Sequence, residues 1–380
     1  MKRRGLCMVV VLCLSVTLWA GVSSGAIPII FDDDGSPDAV IALMYLLRLE
    51  ESGVVQLRAL TICQGEAHPA VYAEKLCALL KRVGREDIPV AYGSEHPLVG
   101  FNCFPSCWRA WSDAFWCLAL PSAHKAPLLT PAYQLITDTL RAATQPVTIL
   151  ATGSLTNVAL ALRSTDVVAR GHIREIVIMG GAWNVPGNIR ADAGPIDNVP
   201  PCGPYTNATA EFNFWADPVA ASEVFHSGLS IRVVPLDATN TVRWTQEDAR
   251  RWISSSGKAG TEEGRIAGRL LLNMMEFYED YYAGSPFTSL WVYDLLAAVV
   301  VAHPEFSSPQ FGWTKLAIDV VTAAGGVYMC EDGTAIQAEQ GQSVACCAAS
   351  CRGGRTQVLL SISAEGIESM REAVDVALDP

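Results

Sequence analysis

Positive charge is scarce in this chain. Its 380 residues carry 27 Lys and Arg against 39 Asp and Glu, a formal net charge of −12. Phosphate backbones are gripped by Lys and Arg, so this balance excludes a general nucleic-acid binder and leaves cations or neutral small molecules as partners. Charge of either sign is sparse, at 17% of residues, while 50% are hydrophobic. That excludes a disordered chain, which needs low hydrophobicity and high charge. Beyond the N-terminus no apolar run is long enough to span a bilayer; residues 292–302 are apolar but short and include Asp294. Internal repeats and Pro/Ser-rich linkers are missing. The cysteine clusters Cys103, Cys107, Cys117 and Cys330, Cys346, Cys347, Cys351 lack His or a second CxxC, which argues against zinc.

What is present begins with a leader. Lys2, Arg3 and Arg4 precede an apolar stretch over 6–19, and Ser24-Gly25-Ala26 fits a small-x-small cleavage site. Residues 1–26 therefore read as a secretory signal peptide, with an uncleaved anchor as the competing reading. The mature protein is expected to be exported and free of the membrane. Ten of the 12 cysteines follow the leader, and an oxidising compartment lets some pair. Cys63 and Cys77 lie in apolar runs and read as small core residues.

After the leader, β-branched apolar runs alternate with helical spacing. Strands are expected at 27–31, 55–63, 88–92, 147–152, 173–179 and 230–235. Helices are expected at 40–49, 70–83, 155–163 and 218–226. This rhythm predicts an α/β fold, doubly wound, with a mainly parallel sheet flanked by helices. Continuously apolar strands such as Ile176-Val177-Ile178-Met179 imply that both faces are covered. Residues 100–131, 182–209 and 323–354 interrupt the rhythm as loop insertions. Residues 27–380 are expected to form one domain with a decorated C-terminal part.

The most informative stretch is Asp32-Asp33-Asp34-Gly35-Ser36-Pro37-Asp38, between the first strand and the first helix. Open α/β sheets bind ligands at the carboxyl ends of strands. Four carboxylates in seven residues repel one another unless a cation sits among them, and hard oxygen ligands suit Ca²⁺ or Mg²⁺. A solvated acidic turn is the plainer reading.

Asp32-x-Asp34-Gly35-x-x-Asp38 resembles the opening motif of the inosine–uridine nucleoside hydrolase family. The resemblance continues in order through Leu60-Thr61-Ile62-Cys63-Gln64-Gly65, Asp87-Ile88-Pro89-Val90, Ala151-Thr152-Gly153-Ser154-Leu155-Thr156-Asn157, Met179-Gly180-Gly181, Gly187-Asn188, Ala210-Glu211-Phe212-Asn213 and Tyr293-Asp294-Leu295. It implies calcium-dependent hydrolysis of the N-glycosidic bond of ribonucleosides. By similarity, Asp34 would ligate Ca²⁺ and take a proton from the attacking water. Asp38, the Thr152 carbonyl and Asp294 would complete the metal ligands. Asp38, Met179, Asn188, Glu211, Asn213 and Tyr293 would contact substrate. The partner implied is a small-molecule nucleoside, and a homo-oligomer is compatible with the chain.

Three departures stand out. Ala39 follows Asp38 where the family has a second aspartate, so Asp38 takes either the ribose or the calcium position, with Asp33 as a compensating acid. Glu66 follows Gly65 where the family has Asn. Tyr293 stands where pyrimidine-tolerant members have His, which resembles purine-preferring members. Trp108, Trp111 and Trp116 are placed either to stack the base or to anchor their insertion. Read from residues alone, Glu211 and Asn213 flank Phe212 in the alternation of an exposed strand edge. The competing functions are a non-catalytic, secreted, calcium-dependent nucleoside- or sugar-binding protein, and a hydrolase of another N-riboside. Asn207-Ala208-Thr209 is a glycosylation sequon. Its position near Glu211 suggests an unmodified Asn207 and a flap over 200–209.

Overall fold

The first apolar run becomes strand β1 (Ile27–Asp33). Its side chains alternate between two core layers: Ile29 and Phe31 enter one, Ile30 the other. Each fully buried side chain of this size contributes roughly 2 kcal/mol of hydrophobic stabilisation. The computed structural model describes residues 25–189, 207–254, 260–281, 286–307, 309–323, 326–329, 335–345 and 356–379. Residues 1–24 of the leader expected at 1–26, and residues 200–206 of the expected flap, lie outside the described residues.

Seven further strands join β1: β2 (Val55–Ile62), β3 (Val90–Tyr92), β4 (Val147–Ala151), β5 (Ile173–Met179), β6 (Ile231–Val234), β7 (Phe311–Leu316) and β8 (Thr356–Ile362). Their order in the sheet is β3-β2-β1-β4-β5-β6-β8-β7. All neighbours pair in parallel except β8 with the edge strand β7. The expected doubly wound, mainly parallel α/β architecture is the one observed. Its order reverses between β1 and β4, which opens a crevice at their carboxyl ends.

Helices cover both faces. The first-layer helices include α1 (Pro37–Glu51) and α2 (Pro69–Arg82), while the insertion over 100–131 carries α3 (Ser106–Asp113). The opposite layer receives α4 (Ala132–Arg141) and α5 (Thr156–Ser164). Next come the short α6 (Phe212–Ala216) and then α7 (Pro218–Phe225), also in the opposite layer. The first layer is completed by α8 (Glu262–Tyr281), α9 (Tyr293–Ala302) and α10 (Ala364–Leu378).

Local chemistry sets α1 in place. Ser36 caps it by accepting the Ala39 N–H at 3.1 Å, and Pro37 supplies the preset φ of a first helical residue. Residues 37–47 are buried on every side, so α1 is a central helix, wedged between α8 and α9. Part of the C-terminal insertion pairs Ile318–Val320 with Ser343–Ala345, antiparallel, before β8 and α10 return to the main sheet. Cys63 and Cys77 are buried free thiols, as expected, while Cys103 is disulfide-bonded. Among the described residues no helix is long and apolar enough to cross a membrane.

Candidate active site

The carboxyl end of β1 delivers its acids to different places. Asp32 turns into the sheet, where one oxygen accepts from Thr61 Oγ1 at 2.6 Å and Asn157 Nδ2 at 2.8 Å. Burial pushes its pKa up to about 7 against the help of those bonds. Asp33 accepts the Gly35 N–H at 2.8 Å and is not among the residues lining the adjoining cavity. Asp34 faces a cavity of about 450 Å³ that opens at the β1–β4 crevice.

Two glycines press on Asp34. A Cβ at Gly65 would lie 2.4 Å from Asp34 Cβ, and one at Gly153 would lie 2.6 Å from it. No side chain fits at either position without displacing the carboxylate. Its oxygens accept the Ser36 and Glu66 N–H groups, both at 3.3 Å. Burial, and then the charge of Asp38, pushes the Asp34 pKa up to about 8.

Asp38 lies in the first turn of α1 and Asp294 in the first turn of α9, and both line the same cavity. The Asp294 N–H donates to Asp38 Oδ2 at 3.2 Å, and Ser36 Oγ donates to Asp294 Oδ2 at 2.9 Å. Burial and the charges of Asp38 and Asp34 hold the Asp294 pKa well above the usual range.

The opposite wall comes from β4, β5 and the segment 207–216. Thr152 follows β4, and its carbonyl accepts from Asn213 Nδ2 at 3.1 Å. The same amide donates to the Met179 carbonyl at 3.1 Å. The strand edge expected around Glu211 and Asn213 is instead the start of α6. Glu211 caps that helix, accepting from Asn213 N at 2.9 Å and Phe214 N at 3.3 Å, and from Gly181 N at 3.0 Å. Alternation over three residues could not register this, because the capping carboxylate outweighs the pattern. Burial still lifts the Glu211 pKa to about 7. Asn188 Oδ1 accepts the Phe212 N–H at 2.9 Å, tying the site wall to α6.

The rest of the lining is aromatic. Phe104 stacks on Phe212 at 4.7 Å, and Trp108 leans on Phe212 at 5.3 Å. Tyr293 and Trp291 also line the cavity and stack at 6.4 Å and 17°. Of the three tryptophans singled out in the insertion, Trp108 lines the cavity. Trp111 and Trp116 pack on Phe277, each at 5.0 Å, and anchor the insertion.

Sequence reasoning treated Glu66 only as a departure and missed its place. Its side chain lines the cavity and accepts from Ser112 Oγ at 3.0 Å. Burial and the charges of Asp34 and Asp38 raise its pKa well above the ordinary value.

Among the described residues, no group of three or more His, Cys, Asp or Glu side chains is arranged to hold a metal ion. The donor chemistry nevertheless fits a hard cation. Asp34, Asp38, Glu66 and Asp294 share the cavity, and no Lys, Arg or His is among its described lining residues. Two like charges 5 Å apart cost roughly 3 kcal/mol at an effective dielectric of 20. Every candidate site residue, namely Asp34, Asp38, Thr152, Met179, Asn188, Glu211, Asn213, Tyr293 and Asp294, lines this one cavity.

A family model, "Inosine-uridine preferring nucleoside hydrolase", matches residues 29–369. The chain belongs to this family. As a nucleoside hydrolase it is an enzyme, cleaving the N-ribosyl bond of ribonucleosides. Among its relatives, the pyrimidine-specific ribonucleoside hydrolase RihA of Citrobacter koseri is 32% identical over 288 residues, covering 76% of this chain and 83% of that one. A probable uridine nucleosidase 1 of Oryza sativa is 29% identical over 76% of this chain and 80% of its own length. A purine-preferring ribonucleoside hydrolase from Gardnerella vaginalis superposes with a TM-score of 0.70 at 19% identity, covering 93% of this chain and 99% of that one. A plant nucleoside hydrolase superposes with a TM-score of 0.71 at 21% identity, covering 93% and 98%. These structural likenesses place the nucleoside hydrolase in its fold.

Proposed function

We propose that this nucleoside hydrolase is an exported, calcium-dependent enzyme with a preference for purine ribonucleosides. The observation that carries the reading is the meeting of Asp34 and Asp294, from opposite ends of the chain, in one acidic cavity with no Lys, Arg or His among its described lining residues. Asp34, Asp38, the Thr152 carbonyl and Asp294 would hold the calcium. When bound, calcium supplies a Lewis-acidic centre that acidifies and orients a water.

The chain's own groups do the remaining work. Asp34 accepts the proton of the attacking water as its oxygen bonds to C1′. The C1′–N bond breaks and its electron pair leaves with the base nitrogen, which takes one proton from solvent while Asp34 returns the one it accepted to solvent. Glu211, fixed by three backbone N–H groups, faces the positive charge that develops on the sugar. Asn213 is held through Nδ2, so Oδ1 serves as the acceptor for a sugar hydroxyl. Asn188 is held through Oδ1, so Nδ2 serves as a donor. Asp38 takes a further hydroxyl, and Met179 packs against the sugar.

Purine preference is supported by the aromatic flanks. Two aromatic pairs in the lining, Trp108 with Phe212 and Trp291 with Tyr293, offer wide surfaces to a two-ring base. Release of reducing sugar from inosine, guanosine, adenosine, uridine and nicotinamide riboside, with and without chelator, tests the whole reading. Faster turnover of uridine than of inosine would overturn the purine assignment, and undiminished turnover in chelator would overturn the metal. Inactivity on every nucleoside, alongside tight binding, would favour a binding protein.

A further inference from the structure

The loop that carries Asn188 is gripped at both ends by the C-terminal insertion. It begins at Ala182, just past β5, and reaches Glu211 through Asn207. At the first end, Ser343 Oγ donates to the Ala182 carbonyl at 2.9 Å and accepts the Ala182 N–H at 3.1 Å. At the second end, Asn207 Nδ2 donates to the Gln340 carbonyl at 2.6 Å, and Thr209 Oγ1 donates to Glu339 Oε2 at 2.9 Å. Glu339, Gln340 and Ser343 belong to one turn, so a single feature holds residues 182 and 207 together.

That turn is itself seated. Gly341 N donates to the Val321 carbonyl at 2.7 Å, and Val321 N to the Gln342 carbonyl at 3.0 Å. These bonds extend the ladder of Ile318–Val320 with Ser343–Ala345. Gln340 Nε2 adds a bond to the Thr322 carbonyl at 3.1 Å. Ser222 Oγ, on α7, donates to Asp319 Oδ1 at 2.7 Å and fastens the ladder to the main body. The turn also presses on α6. Gly341 has a φ of 81°, and a Cβ there would lie 2.5 Å from Trp215 Cα. Only glycine permits both the angle and the approach.

From Asn207 the connection to Asn188 runs through the backbone. Asn207 Oδ1 accepts the Thr209 N–H at 3.2 Å and the Ala210 N–H at 2.9 Å. The residues ordered in this way pair with the Asn188 segment. Gly187 N donates to the Ala208 carbonyl at 2.7 Å, and Asn188 N to the Ala210 carbonyl at 3.1 Å. Asn188 is among the described residues that line the cavity, whereas Asn207, Gln340 and Ser343 are not. We propose that Asn207, locked by the turn at Gln340, is a positioning residue for Asn188, so that the C-terminal insertion sets how firmly the cavity grips the sugar. The inference rests on the nucleoside-hydrolase reading, in which Asn188 donates to a sugar hydroxyl.

Asn207→Asp isolates the clasp. The carboxylate keeps an acceptor for Thr209 and Ala210 but has no donor for the Gln340 carbonyl. Protein from a non-glycosylating host removes the sequon as a variable. In Asn207→Asp, KM for inosine rises roughly 10-fold with a smaller change in kcat, the scale of a displaced positioning group. In an Asn188→Ala background the same substitution leaves KM within about twofold, because the group it acts through is gone. Thr209→Val, which removes only the hydroxyl bonds, shows the same background dependence at reduced size and serves if Asn207→Asp does not fold. A penalty of equal size with and without Asn188, or no penalty, overturns the inference. Hydrogen exchange reads the clasp without turnover: the Gly187, Asn188 and Ala210 amides exchange faster in Asn207→Asp than in the parent. Unchanged exchange at those amides overturns the positioning role whether or not any nucleoside is hydrolysed, so its failure and that of the hydrolase reading are distinguishable.

Discussion

Ser36 Oγ lies 2.9 Å from Asp294 Oδ2, so one hydroxyl joins residues 258 positions apart. The same oxygen accepts the Ala39 N–H at 3.1 Å and caps α1. A single serine thus ends one acidic loop, starts the central helix and steadies the carboxylate that α9 brings from the far end of the chain. The hydrolytic site closes only when α9 has docked on α1.

Ser36→Ala removes both bonds. The expected cost is about 1–2 kcal/mol of stability, from the lost cap and from a buried carboxylate left short of a donor. Chemical denaturation of parent and variant in chelator measures it. A Ser36→Thr variant keeps the hydroxyl and should recover most of the difference.

Asp34→Asn should reduce kcat by roughly 10³-fold or more, the scale of removing a general base. The same change neutralises a buried acid crowded by Asp38. Melting temperature in chelator at pH 8 should therefore rise, not fall. Loss of activity accompanied by a lower melting temperature would point to a folding defect in place of a chemical one.

Metal-free stability should fall as pH rises. Folded-state pKa values near 7 for Asp32 and Glu211 and near 8 for Asp34 exceed ordinary carboxylate values. Between about pH 4 and these values the folded chain keeps protons that the unfolded chain has released, so stability declines with pH. This contribution is complete below about pH 4 and lost as pH passes through 7 to 8. Each such group adds a slope of roughly 1.4 kcal/mol per pH unit within its window. Melting curves in chelator from pH 5 to 8.5 check the direction, and added calcium should flatten the decline.

Asn207 should carry no glycan in active protein exported from a glycosylating host. Its Nδ2 donates to the Gln340 carbonyl at 2.6 Å, and its Oδ1 accepts the Ala210 N–H at 2.9 Å. A glycan on that nitrogen would have to break the first bond beside the Glu211 wall. Intact-mass measurement on the active fraction decides it.

The sheet was legible because its strands are apolar on both faces. Ile173–Met179 carries its signal in Ile173 and the buried run Ile176-Val177-Ile178-Met179, and appears with the expected bounds. The grouping of Asp34, Thr152, Asn188 and Asp294 was legible only through the family motifs, since those residues are far apart in sequence. Glu211 misled the local reading because two or three capping bonds decide a short helix and leave no periodic trace. Glu66 was hidden for another reason. Its partner Ser112 lies 46 positions away in an insertion, and nothing in either neighbourhood announces the other. Trp111 and Trp116 look the same as Trp108 in sequence; only packing separates anchor from lining.

The division of the cavity wall has a consequence for how this enzyme can diversify. The acidic floor belongs to the loop after β1 and the start of α9, whereas much of the aromatic face belongs to α3 and α6. Mutations that reshape the aromatic face need not disturb Asp34, Asp38 or Asp294. Base selectivity can therefore drift within a lineage while the bond-breaking apparatus stays under its own constraint. That independence ends at two places: the helix that carries Trp108 also bonds Glu66 through Ser112, and Tyr293 directly precedes Asp294 on α9.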